Sequence, residues 1–249
     1  MALFRAIAGR PLLGIASMAA GSTLFASSAH AAPMPASGAA VVVGVSNRPG
    51  LGYAVAERFA AGGMKVGIIG RNPDALADCK TAILANNPGA DVEFIAADAT
   101  DPAACAAAFS RLKAKHGAPA ALIYNLSCRP FPPTRLEDVT PERLESDWKT
   151  GPYGALLCVQ QCLPAMSAAG TGTILFTGAS ASLRGTPRFG SFAVAKTGLR
   201  GFAQSLAKEV APQGVHVAHL VIDVRRAPLS KASSNAPCKP TLARSPMIN

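Results

Sequence analysis

The sequence predicts an α/β domain built as a doubly wound parallel sheet with helices on both faces. Three observations carry this reading. Short apolar runs alternate with helix-patterned stretches from residue 39 to about 223, and strands separated by helices pair in parallel through right-handed crossovers. The apolar runs are continuous, as strands covered on both faces require. Of the 249 residues, 49% are hydrophobic and 15% charged, which supplies a sizeable core and excludes global disorder.

The elements follow in order. AAVVVGV (39–45) is the first strand, and a Gly/Pro-rich turn leads to an amphipathic helix from Leu51 that stops at Gly62-Gly63. MKVGIIG (64–70) is the second strand. The helical stretch after it has Pro73 near its start, where proline is tolerated. DVEFIAA (91–97) is the third strand, and Asp101-Pro102 opens a helix to about Lys115. AALIYNL (120–126) is the fourth strand, followed by an irregular Pro-rich stretch. Thr140-Pro141-Glu142 opens a helix that a Gly-Pro pair interrupts before a longer one near 153–168. GTILFTG (172–178) is the fifth strand. The helix at 190–211 has Leu199, Phe202, Leu206 and Val210 as its apolar stripe, and VHVAHLVID (215–223) is the sixth strand. Ligands of such sheets bind beyond the carboxyl ends of the strands, where strand order reverses.

The net charge of +10 is unevenly spread. Residues 1–37 carry Arg5 and Arg10 and no acid, and residues 225–249 carry five basic residues and no acid. The domain at 38–224 is close to neutral, which argues against nucleic acid as the partner; the ends lack a basic block and aromatic interleaving. Residues 1–37 read as a targeting segment. Arg-bearing, Ser-rich and acid-free composition fits an organellar, foremost mitochondrial, address; the basic start and Ala29-His30-Ala31 fit a secretory signal, and an unaddressed cytoplasmic tail is the third possibility. The apolar run there is too diluted by Gly and Ser for a firm membrane span. Residues 225–249 read as a basic disordered tail. The cysteines at 79, 105, 128, 158, 162 and 238 form no CxxC pair and no Cys/His cluster, so no metal site is expected and the thiols are read as reduced.

The turn after the first strand, Gly44-Val45-Ser46-Asn47-Arg48-Pro49-Gly50-Leu51-Gly52, points to a dinucleotide. Glycines there let the backbone approach a pyrophosphate at a helix N-terminus. The second strand ends in Gly70-Arg71-Asn72, where a carboxylate would select a free ribose 2′-hydroxyl. Arg71, assisted by Arg48, selects a 2′-phosphate instead. NADP(H) is therefore expected over NAD(H).

Over residues 39–223 the chain resembles the short-chain dehydrogenase/reductase family. The resemblance rests on the glycine turn, Ala97-Asp98-Ala99-Thr100, Tyr124-Asn125-Leu126-Ser127, Thr177-Gly178-Ala179-Ser180 and Phe192-Ala193-Val194-Ala195-Lys196. It implies a Rossmann-like fold and hydride transfer between nicotinamide and a small carbonyl or alcohol substrate. The cofactor contacts it implies fall on Gly44, Ser46, Arg48, Gly50, Leu51, Gly52, Arg71, Asp98, Ala99, Asn125 and Lys196, with Asp98 at the adenine and Asn125 bracing the fourth strand. It also implies a homo-oligomer joined through the helices around the fifth strand.

The departures concentrate at the catalytic centre. The family's proton-exchanging tyrosine is Phe192, which cannot exchange a proton; Lys196 is retained four residues on. Thirteen residues before Phe192 stands Ala179, so the catalytic serine is assigned to the adjacent Ser180, with Ser182 nearby. Gly151 replaces the asparagine of the family's proton relay. The Pro-Gly turn after the sixth strand and the seventh strand are absent, since Val224 leads into the tail. Two readings follow: an NADP(H)-dependent oxidoreductase of atypical site, or a non-catalytic NADP(H)-binding protein or partner subunit. Hydrolase chemistry is disfavoured, because His116, His216 and His219 accompany no GxSxG elbow.

Overall fold

A computed structural model describes residues 38–128 and 133–222. The expected targeting segment, the basic tail and the place of the missing seventh strand lie outside the described residues; the sixth strand ends at Val221, short of the expected Asp223, with Ile222 already outside it. Six strands form one sheet: β1 (Ala39–Val43), β2 (Lys65–Gly70), β3 (Val92–Ala96), β4 (Pro119–Tyr124), β5 (Gly172–Gly178) and β6 (Val215–Val221). Their order is β3-β2-β1-β4-β5-β6, and every pairing is parallel. The expected doubly wound sheet is what the chain forms.

Connecting them are α1 (Leu51–Ala61), α2 (Pro73–Asn86), α3 (Pro102–His116), α4 (Pro141–Trp148), α5 (Gly154–Ala169) and α6 (Gly190–Val210). The chain steps from β1 outward to β3, and α3 then returns it across the sheet to β4. Right-handed crossovers put α1 and α2 on one face and α3, α5 and α6 on the other. The largest buried cluster lies on the second face, where Phe109, Leu122, Tyr124, Phe176, Leu199 and Val210 pack together. In α6, Leu199, Leu206 and Val210 are buried as their spacing predicts, and Phe202 meets Phe176 edge-on with ring centres 5.9 Å apart.

Three helices begin with the same local device. Asn72, Asp101 and Thr140 each accept a backbone N–H from the first turn of α2, α3 and α4, and a proline occupies the first helical position in each case. The cap satisfies a donor left over by the helix, while proline removes another and presets φ.

Two boundaries differ from expectation for a common reason. β1 stops at Val43 because Gly44 turns to φ +94°, and the Gly44 and Val45 N–H groups both donate to the Ile69 carbonyl. β4 stops at Tyr124, once Asn125 N–H has made a last ladder bond to the Val43 carbonyl. The backbone there leaves the sheet to build the ligand crevice.

The Gly-Pro pair interrupts the helical path between α4 and α5 as expected, with the backbone kinking at Gly151. A single wide turn, Lys149–Tyr153, joins them, with Gly151 at φ −90° and ψ −117°. Its cause is close packing: a Cβ on Gly151 would lie 2.7 Å from the Ala195 carbonyl oxygen and 3.0 Å from Ala195 Cα on α6. No side chain fits, so asparagine could not stand here without moving α6. Gly151→Asn should destabilise the fold by about 1–3 kcal/mol through overpacking. Denaturant unfolding tests this, and an unchanged midpoint would mean that the two backbones part easily.

Candidate functional site

The crevice above the β1/β4 switch point is a cleft of about 950 Å³. Gly44–Asn47 form its floor and Ile69–Asn72 one wall; Ala97–Thr100, Asn125–Ser127 and the Glu142, Glu145, Ser146, Lys149 and Thr150 side of α4 complete it. Gly44 is irreplaceable by geometry. Beyond its positive φ, a Cβ there would stand 2.6 Å from the Asn125 carbonyl carbon. Gly70 is equally confined, since its Cβ would fall on the Val45 carbonyl oxygen. Gly52 lets α1 approach the Gly44 carbonyl, from which a Cβ would be 2.9 Å. Gly50 is the extended residue that precedes α1, while Leu51, its first residue, is 39% exposed.

A lateral chain of hydrogen bonds ties the strand ends together. Asn125 Nδ2 donates to the Gly44 carbonyl at 3.1 Å, and Thr177 Oγ1 donates to Asn125 Oδ1 at 3.0 Å. Lys196 Nζ donates to the Thr177 carbonyl at 3.0 Å and to the Leu126 carbonyl at 3.3 Å. Asn125 thus joins the end of β4 to the glycine turn and to β5.

Arg71 and Asp98 both line the cleft. Asp98 Oδ1 accepts the Thr100 N–H at 2.9 Å and Oγ1–H at 2.7 Å. Partial burial raises the Asp98 carboxyl, but the two Thr100 bonds and the nearby Arg71 charge outweigh it and hold it below its usual range. Asp98 does not begin the next helix; Asp101 does. Ala99 is buried beside it and Ser46 is exposed at the glycine turn, both on the cleft.

Arg48 departs from expectation. Its guanidinium makes a two-pronged contact with Asp78 on α2, both bonds 3.0 Å, with its carbon 5.9 Å from the Tyr53 ring centre. It does not line the cleft, and a carboxylate already holds the charge expected to assist Arg71.

The expected catalytic residues also stand apart from the cleft lining. Lys196 is only 4% exposed, and burial pushes its amine down to about 8. The Phe192 ring centre lies 6.0 Å from Lys196 Nζ. Ser180 starts a short 3-10 turn, Ser180–Ser182, and is half-buried. Ser182 is 1% exposed, and its Oγ accepts the Ala179 N–H at 3.2 Å.

Several groups escaped the sequence reading. Asp147 is buried, and its Oδ2 accepts Ser191 Oγ–H at 2.6 Å and Arg143 Nε–H at 2.9 Å, pinning α4 to the start of α6 beside Phe192. Cys128 is buried, and burial, then the Asp147 charge, push its thiol up to about 11. Tyr124 fills the room left by Gly154 and donates to the Thr150 carbonyl at 2.9 Å. His219 lies in phase with the buried Val215 and half-buried Val217 of β6, a polar residue at an inward position that strand alternation alone could have flagged. Among the described residues no group of three or more His, Cys, Asp and Glu gathers as metal ligands, and no helix is long and apolar enough to cross a membrane.

Fold and cleft together define a Rossmann-like α/β protein with a cleft at the sheet's switch point. The family profile described as short chain dehydrogenase matches residues 38–236, and the chain belongs to that family. An oxidoreductase of Sarocladium schorii is 29% identical over 168 residues, covering 68% of this chain and 65% of that protein. A 3-dehydrosphinganine reductase of Arabidopsis thaliana is 30% identical over 171 residues, covering 68% and 50%. The chain thus spans half to just under two thirds of these relatives' lengths. Of solved structures, a short-chain dehydrogenase from Rhodopseudomonas palustris is 32% identical with a TM-score of 0.66, covering 75% of this chain and 85% of that one. A metagenomic short-chain oxidoreductase in complex with NADP is 26% identical with a TM-score of 0.69, covering 76% and 82%.

The burial of Lys196 has a measurable consequence. An unfolded lysine holds its proton to about pH 10.4, whereas Lys196 in the fold holds it only to about 8. Between these values the unfolded chain binds more protons, so stability rises with pH across that window, and the penalty is fully present below it. Lys196→Met should abolish this rise. Unfolding free energies of both chains across the window test it; parallel curves would show that the amine is not held in a depressed state.

Proposed function

We propose that this chain is an NADP(H)-dependent oxidoreductase that moves a hydride between nicotinamide and a small carbonyl or alcohol substrate. The observation that carries the reading is the cleft: a glycine turn with no room for side chains, facing Arg71 at a strand end that has no carboxylate. Those residues fit a phosphorylated dinucleotide. Backbone at Gly44 and Val45 leaves room for the pyrophosphate, Arg71 takes the 2′-phosphate, and Asp98 lies where an adenine amine would be accepted. The bound cofactor supplies or takes the hydride. Asn125 keeps the glycine turn registered with β4, and Lys196 ties the backbone just past β4 to the end of β5, where it would support a bound cofactor's nicotinamide side.

Arg71→Ala should weaken NADPH binding roughly 10- to 100-fold, the worth of one charge-assisted contact, and leave NADH binding little changed. Fluorescence titration of both cofactors measures this. Tighter NADH than NADPH binding by the unmodified chain would sink the cofactor assignment.

Phe192 and the sequestered Lys196 favour a second reading, a cofactor-binding protein without turnover. NADPH binding with no oxidation across a broad panel of aldehydes and ketones would select it. We also propose, from composition alone, that residues 1–37 address the chain to an organelle, first the mitochondrion. A reporter fused to them that enters the secretory route or stays in the cytosol would overturn that.

A further inference from the structure

We propose that His219, acting through Ser182, exchanges the proton that Phe192 cannot; the proposal rests on the hydride-transfer reading above. His219 pairs with Phe176 across β5 and β6, and its ring leans over Gly178 at the carboxyl end of β5. A Cβ on Gly178 would fall on His219 Cε1 and Nε2 and stand 2.8 Å from Ser182 Oγ. The imidazole edge and the serine hydroxyl therefore share the notch that the glycine leaves open.

His219 Nε2 is the one buried side-chain nitrogen or oxygen among the described residues with no hydrogen-bond partner. Such a group calls for a cause, since leaving it unpaired costs about 1–3 kcal/mol. Ser182 Oγ already accepts the Ala179 N–H, so its own proton remains to be given, and Nε2 is the unpaired acceptor beside it. The charged groups facing the ring are Arg200 and Lys196, both on α6; β5 and the Ser180–Ser182 turn bring no titratable side chain. Burial first, then those two cations, hold the imidazole below its usual range, so it is a neutral acceptor at neutral pH.

In alcohol oxidation the substrate carbon gives its hydride to the oxidised nicotinamide cofactor as the C–O bond becomes C=O. The substrate hydroxyl proton passes to Ser182 Oγ while the Ser182 proton passes to His219 Nε2, and the resulting imidazolium releases its proton to water. Carbonyl reduction is the reverse and needs the imidazolium. Oxidation should therefore fall as pH drops through the His219 midpoint, and reduction should fall as pH rises above it.

The test uses the full chain with NADP+ and a panel of primary and secondary alcohols, together with imidazole nitrogen NMR. His219→Gln is expected to lower kcat about 100-fold and to remove the acid limb of the pH profile, while NADP+ affinity holds. Ser182→Ala should do the same and should also move the His219 titration midpoint in the cofactor-free protein, with His216 as the internal reference. Ser182→Ala also serves where His219→Gln fails to fold by circular dichroism. A folded His219→Gln chain that keeps rate and acid limb overturns the relay. So does a His219 midpoint that ignores Ser182→Ala. An unmodified chain that binds NADP+ and oxidises nothing defeats the hydride-transfer reading and the relay with it, whereas normal turnover with an indifferent His219→Gln defeats the relay alone.

Discussion

The cleft depends on how closely the backbones approach at the switch point, and one hydrogen-bonded chain enforces it. The Ile69 carbonyl on β2 accepts from Gly44, the Gly44 carbonyl from Asn125, the Asn125 side chain from Thr177, and the Thr177 carbonyl from Lys196. Four strand ends and α6 are joined in sequence by groups that leave the sheet ladder. Each link satisfies a polar group that the turning backbone would otherwise leave unpaired beneath a ligand. Gly44, Gly52 and Gly70 are the places where a Cβ would wedge this chain open. The floor of the site is therefore set by main-chain geometry, and side chains such as Arg71 line a shape that already exists.

Lys196 closes that chain and is altered by doing so. An amine with two carbonyl partners and 4% exposure is well bonded but poorly solvated, and desolvation lowers its hold on a proton. Gly151 contributes from the other side. The backbone between α4 and α5 presses onto Ala195, the residue before Lys196, so closely that no Cβ fits between them.

Much of the fold was legible because its signals are local. Continuous apolar runs, Asx/Thr-Pro helix starts and glycine stops depend on neighbouring residues, and all six strands fell where those signals placed them. Arg71 and Asp98 were legible because each sits within two residues of a strand end, so strand direction alone delivers it to the crevice. Arg48 was not. Its partner Asp78 is thirty residues away on α2, and the pairing exists only once α1 and α2 lie on one face. The sequestration of Lys196 was hidden for the same reason, since its partners are carbonyls of Leu126 and Thr177, groups every residue has. Asp147 was hidden within a helix whose exposed acids Glu142 and Glu145 look the same in sequence.

Lys196 and His219 lie close together and stand in opposite energetic positions, which separates what each is for. Replacing Lys196 with an apolar residue would leave two carbonyls unpaired at the ends of β4 and β5, so the fold alone accounts for a lysine there. His219 satisfies nothing with Nε2, and Val215 and Val217 show which side chains the same face of β6 otherwise holds. A valine at 219 would remove an unpaired buried nitrogen and preserve an apolar surface against Phe176. By packing alone the histidine is the inferior residue. Stability therefore gives no reason for it, and the neighbouring Ser182 hydroxyl offers a chemical one.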